Sequence, residues 1–364
     1  MFDQLSLSIV IPFYNAKYNI KNCLDVLSKL NFKKSFEIIL IDDASEDNGR
    51  EIIKIYKSLN IQLYSLDINS GPSAARNVGI LNAKGKYIYF LDVDDTIEPN
   101  TFEILFNVLN EDDYDLVFSD KKWIEKSKNQ RHNIFDYPSD KVFNNIDLDK
   151  IMWTRFNDPL SAGKIFGLTG RLMKRSLIVD NNILFEEKLR YLEDDNFMWN
   201  FLAYVNKARY IRNQLYNYHI YPNLNTASSD GIKRGFSITN FKIVKKNIEA
   251  SLKIRKFLDS DVKKLANQGF IFLIIGALIS YSRAIILKKV DSNEGIKHLE
   301  LLIREALSDE DVSSQIKYYS KSKDESFLII LAIRMKSRKL LKYACIRRAK
   351  KITKIRRKNI NIQV

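Results

Sequence analysis

Three carboxylates, Asp92, Asp94 and Asp95, follow directly on the apolar run Tyr87 to Leu91. Crowded at one strand mouth they repel one another unless a cation sits between them. A hard divalent ion such as Mg2+ or Mn2+ takes oxygen donors, few of them from protein and the rest from phosphate and water. Asp92 and Asp94, flanking a single residue, suit such an ion facing a diphosphate, where it would act as a Lewis acid on a departing phosphate oxygen. An Asp-x-Asp pair also arises in helix-capping loops, and it is the position after a strand that favours the metal reading. Three further segments carry unusual residues: Pro12-Phe13-Tyr14-Asn15, Asp42-Asp43-Ala44-Ser45-Glu46-Asp47, and Asn69 to Gly79. A carboxylate such as Asp43 can accept the ring N–H of a uracil, and Tyr14 can lie against the base. The plainer reading of Asp42 to Asp47 is that they cap the next helix.

The elements that must position these residues are legible from periodicity. Leu7 to Ile11, Phe36 to Ile41, Ile61 to Leu66, Tyr87 to Leu91 and Leu116 to Ser119 are short, apolar and rich in branched or aromatic residues, as buried parallel strands are. Between them Ile20/Leu24/Leu27, Ile52/Tyr56/Leu59, Ala74/Val78/Leu81 and Phe102/Leu105/Phe106/Leu109 recur at helical spacing. Alternating strand and helix through about residue 120 predicts a doubly wound, Rossmann-like α/β domain. Such sheets bind ligands at the carboxyl ends of their strands, where all four loops would converge. The pattern is mixed from 121 to 229 and helical from 230 to 364. It gives a nucleotide-binding half at 1–120, an acceptor-binding half at 121–229 and an α-helical C-terminal region.

The four loops together resemble the family 2 glycosyltransferases of GT-A fold. The run Asn69 to Asp95, NSGPSAARNVGILNAKGKYIYFLDVDD, is similar to that family's signature, with SIVIPFYNA and IDDASED upstream in the expected order. The resemblance covers about residues 6 to 230. It implies that Pro12, Tyr14, Asn15, Asp43, Asn69, Arg76 and Asp92 bind the nucleotide-sugar donor. Asp94 would be the principal ligand of Mn2+ or Mg2+, with Asp92 beside it. Lys17 stands where many members carry Glu. The family also implies a catalytic acid downstream, and Glu193-Asp194-Asp195-Asn196-Phe197 resembles its Glu-Asp-x-x-Phe motif. Phe197, Phe201 and Val205 continue at helical spacing, so these acids open a helix whose dipole keeps a carboxylate ionised. In an inverting transfer Asp194, with Glu193 as neighbour, would take the proton of the acceptor hydroxyl. Which of the three acids points inward stays open. His219 falls where the family often has Arg or His touching phosphate or metal; the alternative is a structural histidine, the reading taken for His132 and His298.

The resemblance implies a UDP-linked hexose or N-acetylhexosamine as donor. The acceptor expected is a hydroxyl of a bacterial surface glycan, such as capsule, lipopolysaccharide or a teichoic-type polymer, or of a lipid-linked glycan. Net charge adds a location. Of the formal +15 over 364 residues, thirteen cations lie between Arg334 and Lys358 and no acid follows Ser326, which leaves +2 for the rest. Ile333, Leu340, Leu341, Tyr343, Ile346, Ile352 and Ile355 interleave with those cations, a spacing that suits an interfacial helix on an anionic inner membrane surface. A solvated basic end is the plainer alternative. A polybasic segment also binds nucleic acid, but the near-neutral body and the lack of any zinc, helix-turn-helix or RNA-recognition signature argue against that partner. A catalytically silent membrane- or nucleic-acid-binding protein is the rival class, and the presence of Asp92, Asp94 and Asp194 speaks against it. Two distant cysteines, Cys23 and Cys345, and the absence of a basic leader with a cleavage site fit a cytoplasmic protein peripheral to the inner membrane. The uncharged stretch Ala266 to Ser282 reads as a buried helix near the lower limit for a bilayer span; on to Leu287 the alternatives are core, the interface of a homo-oligomer or a membrane contact.

Overall fold

The computed structural model describes residues 5–125, 130–133, 137, 139–155, 165–220, 237–287, 291–316 and 326–361, with side chains left undescribed at 125, 130–133, 220, 292 and from 355 onward. The expected boundary at 229/230 lies outside the described residues. The chain forms two compact units. One comprises residues 1–152, 161–187 and 193–224, and the other the C-terminal residues from 225 with the short segments 153–160 and 188–192.

The first unit is α/β. Its opening strands are β1 (Leu7–Phe13), β2 (Phe36–Asp42), β3 (Ile61–Ser65) and β4 (Tyr87–Phe90). They pair in parallel in the order β3-β2-β1-β4, with Leu7 opposite Phe36 and Phe13 opposite Asp42. β1 is buried along its whole length because helices cover both faces of a parallel sheet. Helix α1 (Lys17–Leu27) buries Ile20, Cys23, Leu24 and Leu27, one stripe at i, i+3, i+4 and i+7. The next helix, α2, is only Gly49–Ile53. The expected continuation through Tyr56 and Leu59 forms turns whose N–H groups reach back three residues, and the Tyr56 hydroxyl donates to Asp25 at 2.6 Å. Helix α3 (Pro72–Asn82) starts with proline at its first position, after Gly71 at φ 87°. It lies so close to β1 that a Cβ on Gly79 would come within 2.3 Å of Val10, and one on Gly85 within 2.4 Å of the Leu7 backbone. Glycine is therefore required where α3 crosses the sheet and turns into β4.

The short β5 (Thr96–Ile97) and helix α4 (Thr101–Leu109) follow. β6 (Leu116–Glu125) is longer than the apolar run Leu116 to Ser119 predicts, because its polar second half pairs with β7 (Gln130–Asn133). After β8 (Lys141–Phe143), α5 (Asn145–Thr154), β9 (Arg171–Lys174), α6 (Arg175–Asp180) and α7 (Glu193–Leu202), the chain closes the sheet with β10 (Ala208–Ile220). β9 runs antiparallel between β4 and β6; β10 is parallel to β6 and antiparallel to β5. β6 thus points the same way as β4, and the carboxyl ends of both open on one side of the sheet.

The second unit is helical: α8 (Ile238–Ile254), α9 (Asp259–Ile286), α10 (Ser292–Ser308), α11 (Glu310–Gln315), α12 (Phe327–Arg334) and α13 (Arg338–Asn361). Helix α9 holds the uncharged stretch. It is long and apolar enough to cross a membrane, yet 56% of its most apolar window is buried inside the protein, as in a core helix. The basic helix α13 buries Leu341, Ala344, Cys345 and Ala349 and packs against α9, α10 and α12. Of the apolar positions in α13 that the sequence offers to a bilayer, Leu341 is buried against protein, while Leu340, Ile346 and Ile352 are half-buried and Tyr343 is exposed. Arg338, Lys339, Arg347, Lys350, Lys351 and Lys354 remain on the outside.

Candidate active site

All the candidate donor and base residues belong to the first unit and gather at the carboxyl ends of β1, β2 and β4 and at the start of α7. Pro12 is buried within β1, and Tyr14 just beyond it is 47% exposed, a ring free to meet a ligand. Asn15 adopts φ 47° and ties the first loop to the second: its N–H donates to Ser45 Oγ at 2.8 Å, and its Oδ1 accepts from Glu46 N at 2.9 Å. Ala44, at φ 60°, bends the second loop. The left-handed conformation of a non-glycine residue costs about 1–3 kcal/mol and clusters at sites that need it. Capping accounts for part of the acidic second loop, since Asp47 accepts from Lys17 N at 2.8 Å and Gly49 N at 3.0 Å, the first residues of α1 and α2. Lys17 therefore meets this loop through its backbone.

Asp43 does something else. Buried at the end of β2, it accepts from Ser70 N at 2.7 Å and Gly71 N at 2.8 Å, and Asn69 Nδ2 donates to its carbonyl at 3.3 Å. It thereby fixes the third loop.

Arg76 is the centre of the arrangement. Its side chain is only 6% exposed, and the fork reaches two carboxylates from distant parts of the chain: Nη2 is 2.9 Å from Asp92 Oδ1 and Nη1 is 3.2 Å from Asp194 Oδ1. Burial would lower the guanidinium pKa, but the charges of Asp194 and Asp92 outweigh it and raise it. The Phe185 ring lies 5.4 Å from its Cζ. Phe185 stacks on Phe197 of α7 at 4.2 Å, and both meet Phe90 of β4 edge-on. Asn77 holds the same segment, donating to Phe185 O and Glu187 Oε1 at 3.0 Å each and accepting from Phe185 N. The aromatic cluster thus docks the start of α7 against α3 and β4. Among the acids there, Asp194 is the one ion-paired to Arg76.

Electrostatics at both acidic clusters is set by crowding. Burial, and then the charge of Asp92, push the Asp94 carboxyl up to about 6. Glu193 is pushed up to about 7 by burial and by Asp194. Asp194 keeps 43% of its side chain accessible, yet the surrounding protein still raises it above the ordinary carboxylate range, with Arg76 pulling the other way. Asp95 turns from its neighbours: it accepts from Tyr216 Oη at 2.6 Å and His219 N at 2.9 Å, while burial and Asp92 raise it to about 8. These bonds, with Thr96 opposite Asn217, pin the acidic loop to β10. The His219 ring is half-buried with Nε2 3.0 Å from Thr96 Oγ1, so this nitrogen engages a hydroxyl of the loop. Tyr216, Thr96, Asn77 and Phe185 were not expected from the sequence.

The donor chemistry fits a divalent ion of the Mg2+ or Mn2+ type. Asp94 carries a carboxylate whose ionisation is opposed by Asp92, a repulsion that a cation relieves. Among the described residues no three His, Cys, Asp or Glu side chains surround one point. An ion held by Asp94 and Asp92 would take the rest of its shell from diphosphate and water.

A strand-loop sheet carrying Asp43, Arg76 and an Asp-x-Asp loop at its carboxyl edge is the frame of a GT-A glycosyltransferase. Residues 8–169 match the model of Glycosyl transferase family 2. The uncharacterized glycosyltransferase YibD of Escherichia coli is 32% identical over 241 residues, 65% of this chain and 67% of its own. The poly(ribitol-phosphate) beta-N-acetylglucosaminyltransferase TarS of Staphylococcus aureus is 28% identical over 217 residues, 59% of this chain but 35% of its own. The crystal structure of S. aureus TarS 1-349 superposes with a TM-score of 0.67 at 19% identity, covering 95% of this chain and 92% of that one. Its complex with UDP-GlcNAc gives 0.65 at 20%, with the same coverage. At that identity the structural likeness is one of fold. The chain belongs to glycosyltransferase family 2.

Proposed function

We propose that the chain transfers a hexose or N-acetylhexosamine from a UDP-linked donor, with inversion, to a hydroxyl of a bacterial surface glycan or lipid-linked glycan. The observation that carries this reading is the Arg76 fork, which couples Asp92 of the donor loop to Asp194 at the start of α7. The UDP-GlcNAc complex of TarS supports the donor class, and the poly(ribitol-phosphate) substrate in its name supports an anionic glycan polymer as acceptor. Tyr14 offers a face to the base, and Asp43 an acceptor for its ring N–H. Arg76 sets Asp92 against the nucleotide. Asp194 takes the proton of the acceptor hydroxyl as that oxygen bonds to the anomeric carbon, and the bond to the diphosphate breaks with its electron pair leaving on UDP. A divalent ion on Asp94 and Asp92 supplies charge neutralisation for the diphosphate when bound. Thermal melting tests the donor half. UDP-GlcNAc with Mn2+ is expected to raise the melting temperature of the parent, and Asp94→Ala to remove most of that shift. No stabilisation by any UDP-sugar with Mn2+ would rule the reading out.

The basic helix supports a cytoplasmic location against an anionic inner membrane. Because Leu341, Cys345 and Ala349 are buried in the protein, adhesion would rest mainly on the outward cations, with Tyr343 the exposed ring beside them. Each cation near an anionic surface contributes about 1 kcal/mol. The triple change Lys350→Gln, Lys351→Gln, Lys354→Gln is then expected to weaken sedimentation with phosphatidylglycerol vesicles about a hundredfold. Raising the salt should release the parent as well. Binding that survives both treatments would point to insertion instead.

A further inference from the structure

A cleft of about 490 Å3 opens in the second unit, within the range of about 300–1,000 Å3 usual for small-molecule sites. Helices α8 and α11, both packed on α9, form its sides. Lys245, Glu249 and Lys253 line it from α8 at i, i+4 and i+8, and Asp259, Lys263 and Asn267 line it from α9 at the same spacing. Ser314 and Gln315 close it from α11. Among the described residues its wall lies within the second unit, so it shares no residue with the donor loops or the base.

Two carboxamides set its chemistry. Among the described residues Asn267 and Gln315 are 2% and 7% exposed, with no hydrogen-bond partner at either side-chain oxygen. Buried polar atoms are ordinarily satisfied by protein, water or ligand, since an acceptor taken out of water without a donor is costly. Asn267 stands in the uncharged stretch of α9, between the buried Leu265 and Phe270, where an apolar side chain would serve packing better. A carboxamide carries one acceptor and two donor hydrogens, the complement of hydroxyl groups, which donate and accept at once. The rest of the wall mixes signs. Lys245 lies 3.6 Å from Glu249, and Lys253, Lys263 and Asp259 are exposed at the rim. A wall of one sign would select the opposite ion; ammonium donors beside carboxylate acceptors suit a neutral ligand rich in hydroxyls.

We infer that this cleft is a second, non-catalytic saccharide site: it takes a neutral polyhydroxylated unit, a sugar ring or a polyol, with hydroxyls paired to Asn267 and Gln315 and to the charged rim. The assignment goes beyond the transfer reaction, since it needs neither the nucleotide nor Asp194. It gives the helical unit a ligand of its own.

Saturation-transfer NMR on the full chain tests it, with Mg2+ and UDP present to fill the donor site. The probes are ribitol, glucose and N-acetylglucosamine, with cyclohexanol as a control of similar size and one hydroxyl. At least one polyhydroxylated probe is expected to bind, and cyclohexanol to bind much more weakly. Asn267→Leu and Gln315→Met, which nearly keep the side-chain volumes, should each weaken that binding about tenfold or more. Neither should lower the melting temperature of the ligand-free protein, because each removes a buried polar atom that has no partner. Calorimetric binding of UDP should be the same in parent and variants, so that a failure here leaves the donor reading standing. If no polyhydroxylated probe binds, water alone satisfies the amides and the assignment falls. It falls equally if cyclohexanol binds as well as the others, if binding is unchanged in both variants, or if both variants melt lower, which would give the amides a structural role.

Discussion

Asp194→Asn is expected to cut transfer by about 10^2 to 10^4-fold, the range a positioned general base contributes, while leaving most of the metal-dependent stabilisation by UDP. The geometry separates these outcomes. Among the described residues Asp194 is tied to the donor loop through Arg76, at 3.2 Å, and the isosteric amide keeps the side chain's volume and an oxygen that can still accept from the guanidinium. What is lost is the charge and the proton acceptor. The pH profile gives an independent reading. Glu193 is raised to about 7 first by burial and then by the neighbouring charge of Asp194, which is itself above its ordinary range. In the parent, kcat/KM should therefore fall as pH drops through about 7, where the pair takes up a proton. Removing the Asp194 charge lets Glu193 ionise more easily, so any residual activity in Asp194→Asn should have its acid limb moved to lower pH. Steady-state rates of UDP release from pH 5 to 9 check this. A variant that keeps full activity, or that loses UDP binding as completely as Asp94→Ala, contradicts the role.

The first four strands and the loops after them could be placed from sequence because each signal is local. A continuous apolar run marks a strand buried on both faces, and the loop residues follow within a few positions. The choice among Glu193, Asp194 and Asp195 could not. It depends on how α7 is rotated, and that is fixed by Phe197 stacking on Phe185 and meeting Phe90, residues scattered over about a hundred positions. The Asp95 bonds to Tyr216 and His219 were hidden for the same reason: they cross from one loop to a strand more than a hundred residues away. α2 fell short of its expected length because three-residue-back hydrogen bonds replace the helix after Ile53. The basic helix shows another limit. Apolar positions at 341, 344, 345 and 349 demand a partner, but periodicity does not say whether lipid or protein provides it; here α9, α10 and α12 lie against the helix.

Arg76 makes the second large effect, and its sign on the pH axis is opposite to that of Asp194. A buried guanidinium forked between Asp92 and Asp194 stabilises the ionised form of both. In Arg76→Met Asp194 loses that cation, so its pKa, already above the ordinary carboxylate range, rises further and the acid limb of kcat/KM should move to higher pH. Transfer should fall by about 10^2 to 10^3-fold, as when one fixed electrostatic donor is removed from a catalytic site. Stability should fall by only about 1–3 kcal/mol, less than for a fully buried pair, because Asp92 and Asp194 are 30% and 43% open and water screens them. Arg76→Lys is the sharper variant. An ammonium is a point charge that cannot fork between two carboxylates, so it should recover most of the stability but little of the rate. If Arg76 served the nucleotide alone, Arg76→Lys would raise the KM for the donor and leave the acid limb in place. A limb that moves shows that the residue also governs Asp194, and so couples donor binding to the base that activates the acceptor.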